Sequence, residues 1–581
     1  MRYSKRYIFF TIVLFLLILA KFNNSTHELV EIESFRGARL KQEDWNPLIA
    51  ASVNGKDITL KIGSRTYTSK DTPMYMDEQL QLMIPVSILR DSLDCSAHIY
   101  DRKKLILQKR DLSVSFALGE QSCKVNDKME NLRSPMAHDG EEFFVGMEDV
   151  AQLLGYDYEW DMPKNEAVSV DTMSTTSFLP YKYDLREQQR VSAVKDQGPL
   201  GTCWAFATLT ALESSLLPEQ EAHFAEDHMT LNNSFHQEQN DGGDYTMSMA
   251  YLASWQGPVR AADDPYGDGV TDPSLQAVCH VQEMQVMESG DLQKIKEAVF
   301  KYGGVQTSIY TTLQNSSSTS VYYNSQTNAY CYQGSEKSNH DVVIIGWDDS
   351  FAKENFSTPP EEDGAFICQN SWGAEFGEDG IFYISYYDSN IGIHNVVYTK
   401  VESVDNYDSI YQSDLCGWVG QMGYDRESIY GANVFRAKSK EQIEAAGFYA
   451  TGKDTTYDIY VVKNFKDTTS LEPENRIKVA QGQLSNAGYY TIPFTKPVEV
   501  ERGERFAIML YLTTPNAVYP MAIEYAADEL TQEVDITDGE GYISIRGSKW
   551  NRVEEQAKSN LCIKAFSSAV TTTTDENDSR D

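Results

Sequence analysis

Residues 196–213 read DQGPLGTCWAFATLTALE. A cysteine and a tryptophan follow Gly-Pro-Leu-Gly, and Trp204, Phe206, Leu209 and Leu212 then recur at helical spacing. The segment predicts a tight turn opening into a helix with Cys203 at its head. Free N–H groups and the helix macrodipole at that position favour a thiolate, so Cys203 is a candidate nucleophile with a lowered pKa. Read by itself the segment fits a buried structural thiol equally well, because free cysteines are among the most buried residue types. Its partners elsewhere in the chain decide between the two.

A nucleophilic thiol needs a base, a residue that orients the base, and donors for an oxyanion. His340 opens SNHDVVIIGW at the mouth of an apolar strand. It falls in the window of roughly 130–150 residues downstream of a nucleophilic cysteine. Asn370, in ICQNSWGAEFGEDGIFYIS, follows one strand and precedes a Gly-rich turn, where its amide can bond the far nitrogen of His340 and fix the tautomer. Trp372 is placed to cover that bond. Gln197 lies on the turn before Cys203, where its amide and the Cys203 N–H can converge as an oxyanion hole.

These motifs, together with DGGDYTMSMAYL, make the middle of the chain resemble the papain family of cysteine proteases. The resemblance implies an α+β, two-lobed domain over residues 182–400. It puts Cys203 as nucleophile, His340 as general base and acid, Asn370 as orienter and Gln197 in the oxyanion hole. Gly242 and Gly243 fall where the family bonds the substrate backbone. It implies a polypeptide substrate and no cofactor. Leu200 and Asn240 stand where the family commonly has a disulfide, so both halves of that bridge are missing together. The loop SFAKENFSTPPEEDGA lengthens the His340–Asn370 interval. The family's helical inhibitory propeptide is not recognisable.

Working outward, residues 47–171 carry an internal repeat. IPVSILRDSLDCSAHIYD matches VGMEDVAQLLGYDYEWD, with Pro85 aligned to Gly146 and Asp94 to Gly155. Each unit reads as strand, helix and strand pair, a small α+β repeat that resembles the domain named for the N-terminal part of copper amine oxidases. His98 and His138 form no ligand cluster, so no metal is inferred. Residues 405–567 are short β runs between turns and predict an all-β sandwich of jelly-roll type. They resemble lectin-like domains that follow papain-like domains in some bacterial exported proteins. A cell-surface or carbohydrate contact is the partner that resemblance implies. Trp418, Tyr424 and Tyr430 are aromatics able to stack on a sugar or to pack a core.

The ends and the bulk numbers bound the rest. Arg2, Lys5 and Arg6 precede YIFFTIVLFLLILA, so residues 1–22 read as a signal peptide or an uncleaved anchor. Residues 23–46 read as a linker and 568–581 as a disordered tail. The expected location is extracellular or at the cell surface. A net charge of -36 over 581 residues disfavours nucleic acid as a partner. In an exported chain Cys95 can pair with Cys123 and Cys416 with Cys562, while Cys203 stays free. Two acidic stretches, DDPYGDGVTD from Asp263 and DITDGEG from Asp535, have calcium-like spacing but do not fit the EF-hand template. No histidine pair suggests exopeptidase trimming, so endopeptidase action is the expectation, with Met247 and Met249 as pointers to an apolar pocket. The alternative from another class is a surface adhesin on an inactive protease-like scaffold.

Overall fold

The computed structural model of the chain describes residues 31–34 and, from 52 to 570, all but short stretches at 54–55, 64, 71, 78–80, 140–141, 162–165, 171–177 and 288. The signal or anchor segment 1–22 and most of the expected linker lie outside the described residues. The repeat is visible in three dimensions. Helices Val86–Ser92 and Met147–Leu154 begin directly after the aligned residues Pro85 and Gly146. The strands before them, Leu82–Pro85 and Phe143–Gly146, pair antiparallel, with Val145 opposite Ile84. The two units share one apolar core of their own.

The middle region opens with helix α1 (Cys203–Leu216), in which every residue from Trp204 to Ser214 is buried. A helix that is apolar nearly all round belongs in a core, and this one sits between α2 (Tyr245–Ala253) and a sheet. The sheet-side elements follow in order: β1 (His280–Met287), α3 (Leu292–Lys301), β2 (Val305–Ile309), β3 (His340–Asp348), β4 (Ala365–Gln369), β5 (Ile381–Ser385) and β6 (Asn395–Glu402). β3 pairs antiparallel with β2 and β4, and its residues from His340 to Trp347 are all buried. The long loop after Asp348 joins the far ends of β3 and β4, so the insertion leaves the end carrying His340 untouched.

Two sheets form the C-terminal sandwich. One contains β7 (Glu441–Ala450), β8 (Ala487–Val500) and the last strand, Ile563–Ala569. The other is built on Ser428–Arg436, Thr455–Val462 and Arg505–Thr513. The sandwich is not a separate body. β1 pairs with β6 of the middle domain along one edge and with β8 along the other, with Glu283 opposite Tyr490 and Val286 opposite Ala487. One hydrophobic core runs through both domains.

Several expectations are corrected here. Residues 31–34, inside the expected linker, form a strand on the open edge of Gly420–Gly423, where unpaired backbone groups invite pairing. Ser568 and Ala569, expected in the tail, continue the last strand because Ala569 pairs with Glu441. All eight cysteines are thiols. Cys95, Cys416 and Cys562 direct their sulfurs to the carbonyls of Leu89, Ser234 and Gly417 rather than to one another. Trp418 and Tyr424 are buried, and Tyr430 stacks on Tyr511 with ring centroids 4.3 Å apart. Met247 and Met249 are fully packed in α2.

The repeat domain docks against the segment after α1, the loop at Gln188 and the end of α3. The Ile99 N–H donates to Glu219 Oε1 at 3.0 Å, the Tyr100 hydroxyl to the Gln188 carbonyl at 3.2 Å, and Lys301 Nζ to the Leu93 carbonyl at 3.3 Å. His98 faces Glu219 at 3.7 Å, and His138 rests on Phe143. Glu219 lies just beyond the C-terminal end of α1, which at 1.5 Å rise per residue is about 20 Å along the helix from Cys203. This domain takes the place of a propeptide in sequence without sitting at the catalytic end of the helix.

Candidate active site

Cys203 is the first residue of α1 and the one partly exposed cysteine of the eight. The preceding turn is closed by the side chain of Gln197. Its Oε1 accepts from the Ser371 hydroxyl at 2.6 Å, and its Nε2 donates to the Leu200 carbonyl at 2.8 Å. The Gln197 N–H donates to the Ser371 carbonyl at 2.9 Å. These bonds leave the second amide hydrogen of Gln197 to be offered elsewhere.

Antiparallel pairing of β3 with β4 brings His340, at the start of one, beside Asn370, just past the end of the other. His340 Nε2 lies 2.8 Å from Asn370 Oδ1. The same oxygen accepts from the Ser371 N–H at 2.8 Å, which fixes the orientation of the amide. Nε2 therefore carries the proton, and Nδ1 is the basic nitrogen. The Trp372 ring stacks on the imidazole at 4.6 Å, with planes 27° apart. Asp341, the residue after His340 on β3, acts on the Cys203 thiol through its charge.

The expected lowering of the thiol pKa is corrected. Burial, reinforced by the charge of Asp341, pushes the Cys203 thiol up to about 12, and hydrogen bonding from the backbone offsets only part of this. Burial likewise holds His340 down at about 4, despite the bond to Asn370. Both the thiol and the imidazole are therefore neutral at rest. Asp341 itself is pushed up to about 6 by burial, and it accepts from Ser308 Oγ at 2.7 Å and Gln306 Nε2 at 2.8 Å.

Two glycines stand where the resemblance put substrate contacts, and each has a local reason. Gly242 has φ +90°, which L side chains rarely adopt. A Cβ on Gly243 would come within 2.6 Å of the Trp204 indole. Where the family's bridge is missing, the Gly201 N–H donates to Asn240 Oδ1 at 3.1 Å, so one hydrogen bond ties the two loops.

Sequence reasoning missed three contributors. Ser371 lies inside a quoted motif and clamps Gln197. Asp341 is the charged residue after His340 in an otherwise apolar strand, which is a readable signal. Tyr266 comes from the acidic loop weighed for calcium. Its hydroxyl bonds the Gln197 carbonyl at 2.8 Å and Thr202 Oγ1 at 2.8 Å, and its ring packs edge-on against Phe206. The acids of that loop are used locally, Asp264 on the Thr271 hydroxyl and Asp268 on the Val270 N–H. Among the described residues no cluster of His, Cys, Asp or Glu is arranged to hold a metal ion.

The fold and this site define the middle domain as a papain-like cysteine protease domain, preceded by a copper-amine-oxidase-N-terminal-like domain and followed by a lectin-like domain. Residues 179–401 match the family model for the papain family cysteine protease, 75–169 that for the copper amine oxidase N-terminal domain, and 410–567 that for the lectin like domain. Pro-cathepsin H of Bos taurus is 26% identical over 271 residues, 44% of this chain and 76% of the relative. A viral cathepsin of Choristoneura fumiferana defective polyhedrosis virus is 29% identical over 230 residues, 38% of this chain and 64% of the relative, just under two thirds of its length. Among solved structures, the cysteine protease and lectin-like domains of Cwp84, a surface layer associated protein of Clostridium difficile, superpose with a TM-score of 0.59 at 24% identity. The match covers 67% of this chain and 89% of that one, and it is a likeness of fold.

Proposed function

We propose that the protein is an exported cysteine endopeptidase that hydrolyses peptide bonds through Cys203, His340 and Asn370. The observation that supports this is the His340–Asn370 bond under Trp372, which leaves Nδ1 as the basic nitrogen of the imidazole. Sγ attacks the substrate carbonyl carbon while its proton passes to Nδ1. The two charges so formed attract each other, which offsets the burial of both. The Cys203 N–H and the free amide hydrogen of Gln197 bond the oxyanion. The imidazolium then protonates the leaving nitrogen, the C–N bond breaks and a thioester remains. Water attacks the thioester carbonyl, giving a proton to Nδ1. That proton returns to sulfur as the C–S bond breaks.

Export is supported by the basic head and apolar run of residues 1–20, and a cell-surface site by the likeness to a surface-layer-associated protein. A carbohydrate contact of the lectin-like domain rests on its family match alone. The test is hydrolysis of an unstructured protein substrate by the purified full-length chain and its Cys203→Ala variant. Activity in the first and none in the second is expected, and equal activity in both refutes the mechanism.

A further inference from the structure

An acid follows the base directly on β3. Asp341 is buried, and antiparallel pairing sets it opposite Ser308 of β2, with Gln306 two residues along that strand on the same face. Both grip the carboxylate. Ser308 Oγ donates to Oδ1 at 2.7 Å, and Gln306 Nε2 donates to Oδ2 at 2.8 Å. The same Nε2 donates to the Trp204 carbonyl at 3.3 Å. The oxygen of that amide is held as well, because Gln306 Oε1 accepts from the Thr208 hydroxyl and from the Tyr398 hydroxyl, each at 2.9 Å.

This network joins the two halves of the site. Asp341 is the residue after His340, and Trp204 is the residue after Cys203. One glutamine side chain therefore links the strand that carries the base to the first turn of the helix that carries the nucleophile. All members of the network are buried, and a buried polar network with its partners in place specifies one arrangement of the elements it joins. Packing alone does not account for the acid. A carboxylate taken out of water between a helix and a sheet costs free energy that an apolar side chain avoids. Its charge also opposes the Cys203 thiolate.

We infer that Asp341 is a positioning residue for the reacting pair, which through Gln306 holds the head of α1, with Cys203, in fixed relation to His340 on β3. It acts through the bonds of its carboxylate and not on the substrate. This rests on the peptidase reading above and deepens it.

The test uses the full chain with Asp341→Asn and Asp341→Ala. Both remove the charge. Asparagine still accepts from Gln306 Nε2 and donates to Ser308 Oγ, whose hydroxyl can turn to accept, whereas alanine strands both donors in the core. With one fluorogenic peptide, kcat should be about 10-fold higher in the asparagine variant than in the alanine variant, the scale for a buried donor without an acceptor, with KM the same in both. Thermal melting confirms that each chain folds. Equal kcat in the two overturns the inference. Gln306→Met breaks the same bridge from its other end and should lower kcat about 10-fold from wild type, so it serves where the alanine variant does not fold. A kcat within two-fold of wild type in that variant also overturns the inference. Alkylation of Cys203 by iodoacetamide at neutral pH draws the thiol proton to His340 with no substrate present, and should show the same asparagine-to-alanine ratio. That ratio in a chain that hydrolyses no peptide keeps the positioning residue and sinks the peptidase. Hydrolysis with equal kcat in both Asp341 variants does the reverse.

Discussion

Replacing Asn370 by alanine tests the geometry of the site most directly. Asn370 Oδ1 receives two hydrogen bonds, from His340 Nε2 and from the Ser371 N–H, and all three residues are buried. Alanine leaves the imidazole N–H without its acceptor in a place water does not readily reach. An unsatisfied buried donor costs about 1–3 kcal/mol. If that cost falls on the productive ring orientation, a factor of ten per ~1.4 kcal/mol turns it into a loss of about 5- to 150-fold in kcat/KM. The loss should appear in kcat, because Asn370 touches the base and not the substrate. Asn370→Asp keeps both acceptor positions and adds a negative charge, so it should restore orientation and raise the pKa of His340. Steady-state hydrolysis of one fluorogenic peptide across a pH series reads both effects, with thermal melting to confirm that each variant folds. Activity of the alanine variant within two-fold of wild type, in a chain that melts normally, would refute the claim that this bond orients the base.

The acid limb of kcat/KM should lie near pH 4. Burial depresses His340 to about 4, so it is a neutral base above that pH and loses its role below it; a limb near the ordinary histidine value would contradict the burial argument. Iodoacetamide should modify the native chain at Cys203 alone, and all eight thiols should titrate in denaturant without reductant. Loss of any thiol to a disulfide would contradict the structure. Tyr266→Phe removes two bonds to the turn that carries Gln197 and should lower kcat by up to about 30-fold, at about 1 kcal/mol net per bond; an unchanged kcat would show that the turn holds without it. Burial raises Glu524 to about 8, so the folded state holds this proton more tightly than the unfolded chain. Its contribution to stability is full below the ordinary carboxylate value and is lost as pH rises toward 8. Melting temperature should therefore decline less from pH 6 to pH 9 in Glu524→Gln than in wild type, and parallel slopes would count against this.

What was legible in the sequence was what contiguous residues carry. The turn before Cys203, the strand opening at His340 and the turn at Asn370 are each local patterns, and antiparallel pairing then brings the last two together. The repeat was legible because each unit places its helix start directly after the aligned residue. The sign of the Cys203 shift was not legible. A helix N-terminus can be read from spacing, but the burial and the Asp341 charge that outweigh it arise only in the packed structure. Tyr266 was hidden for a similar reason, since its loop reads as an acidic turn and its hydroxyl reaches back across the chain to Gln197. The segment HVQEMQVM of β1 reads as a strand, yet nothing in it says that one edge faces the protease and the other the sandwich.

That double pairing of β1 bears on how the chain can be divided. A protease fragment ending near residue 400 would keep β1 but strip β8 from it, baring the backbone groups of Glu283 to Val286 along with the apolar surface that the sandwich covers. Such an edge is a template for pairing with another molecule. The natural minimal catalytic unit is therefore the protease together with its sandwich. A cut between them releases a species prone to self-association, whereas the repeat domain, whose apolar core is separate from the one that protease and sandwich share, is the part that can be trimmed away.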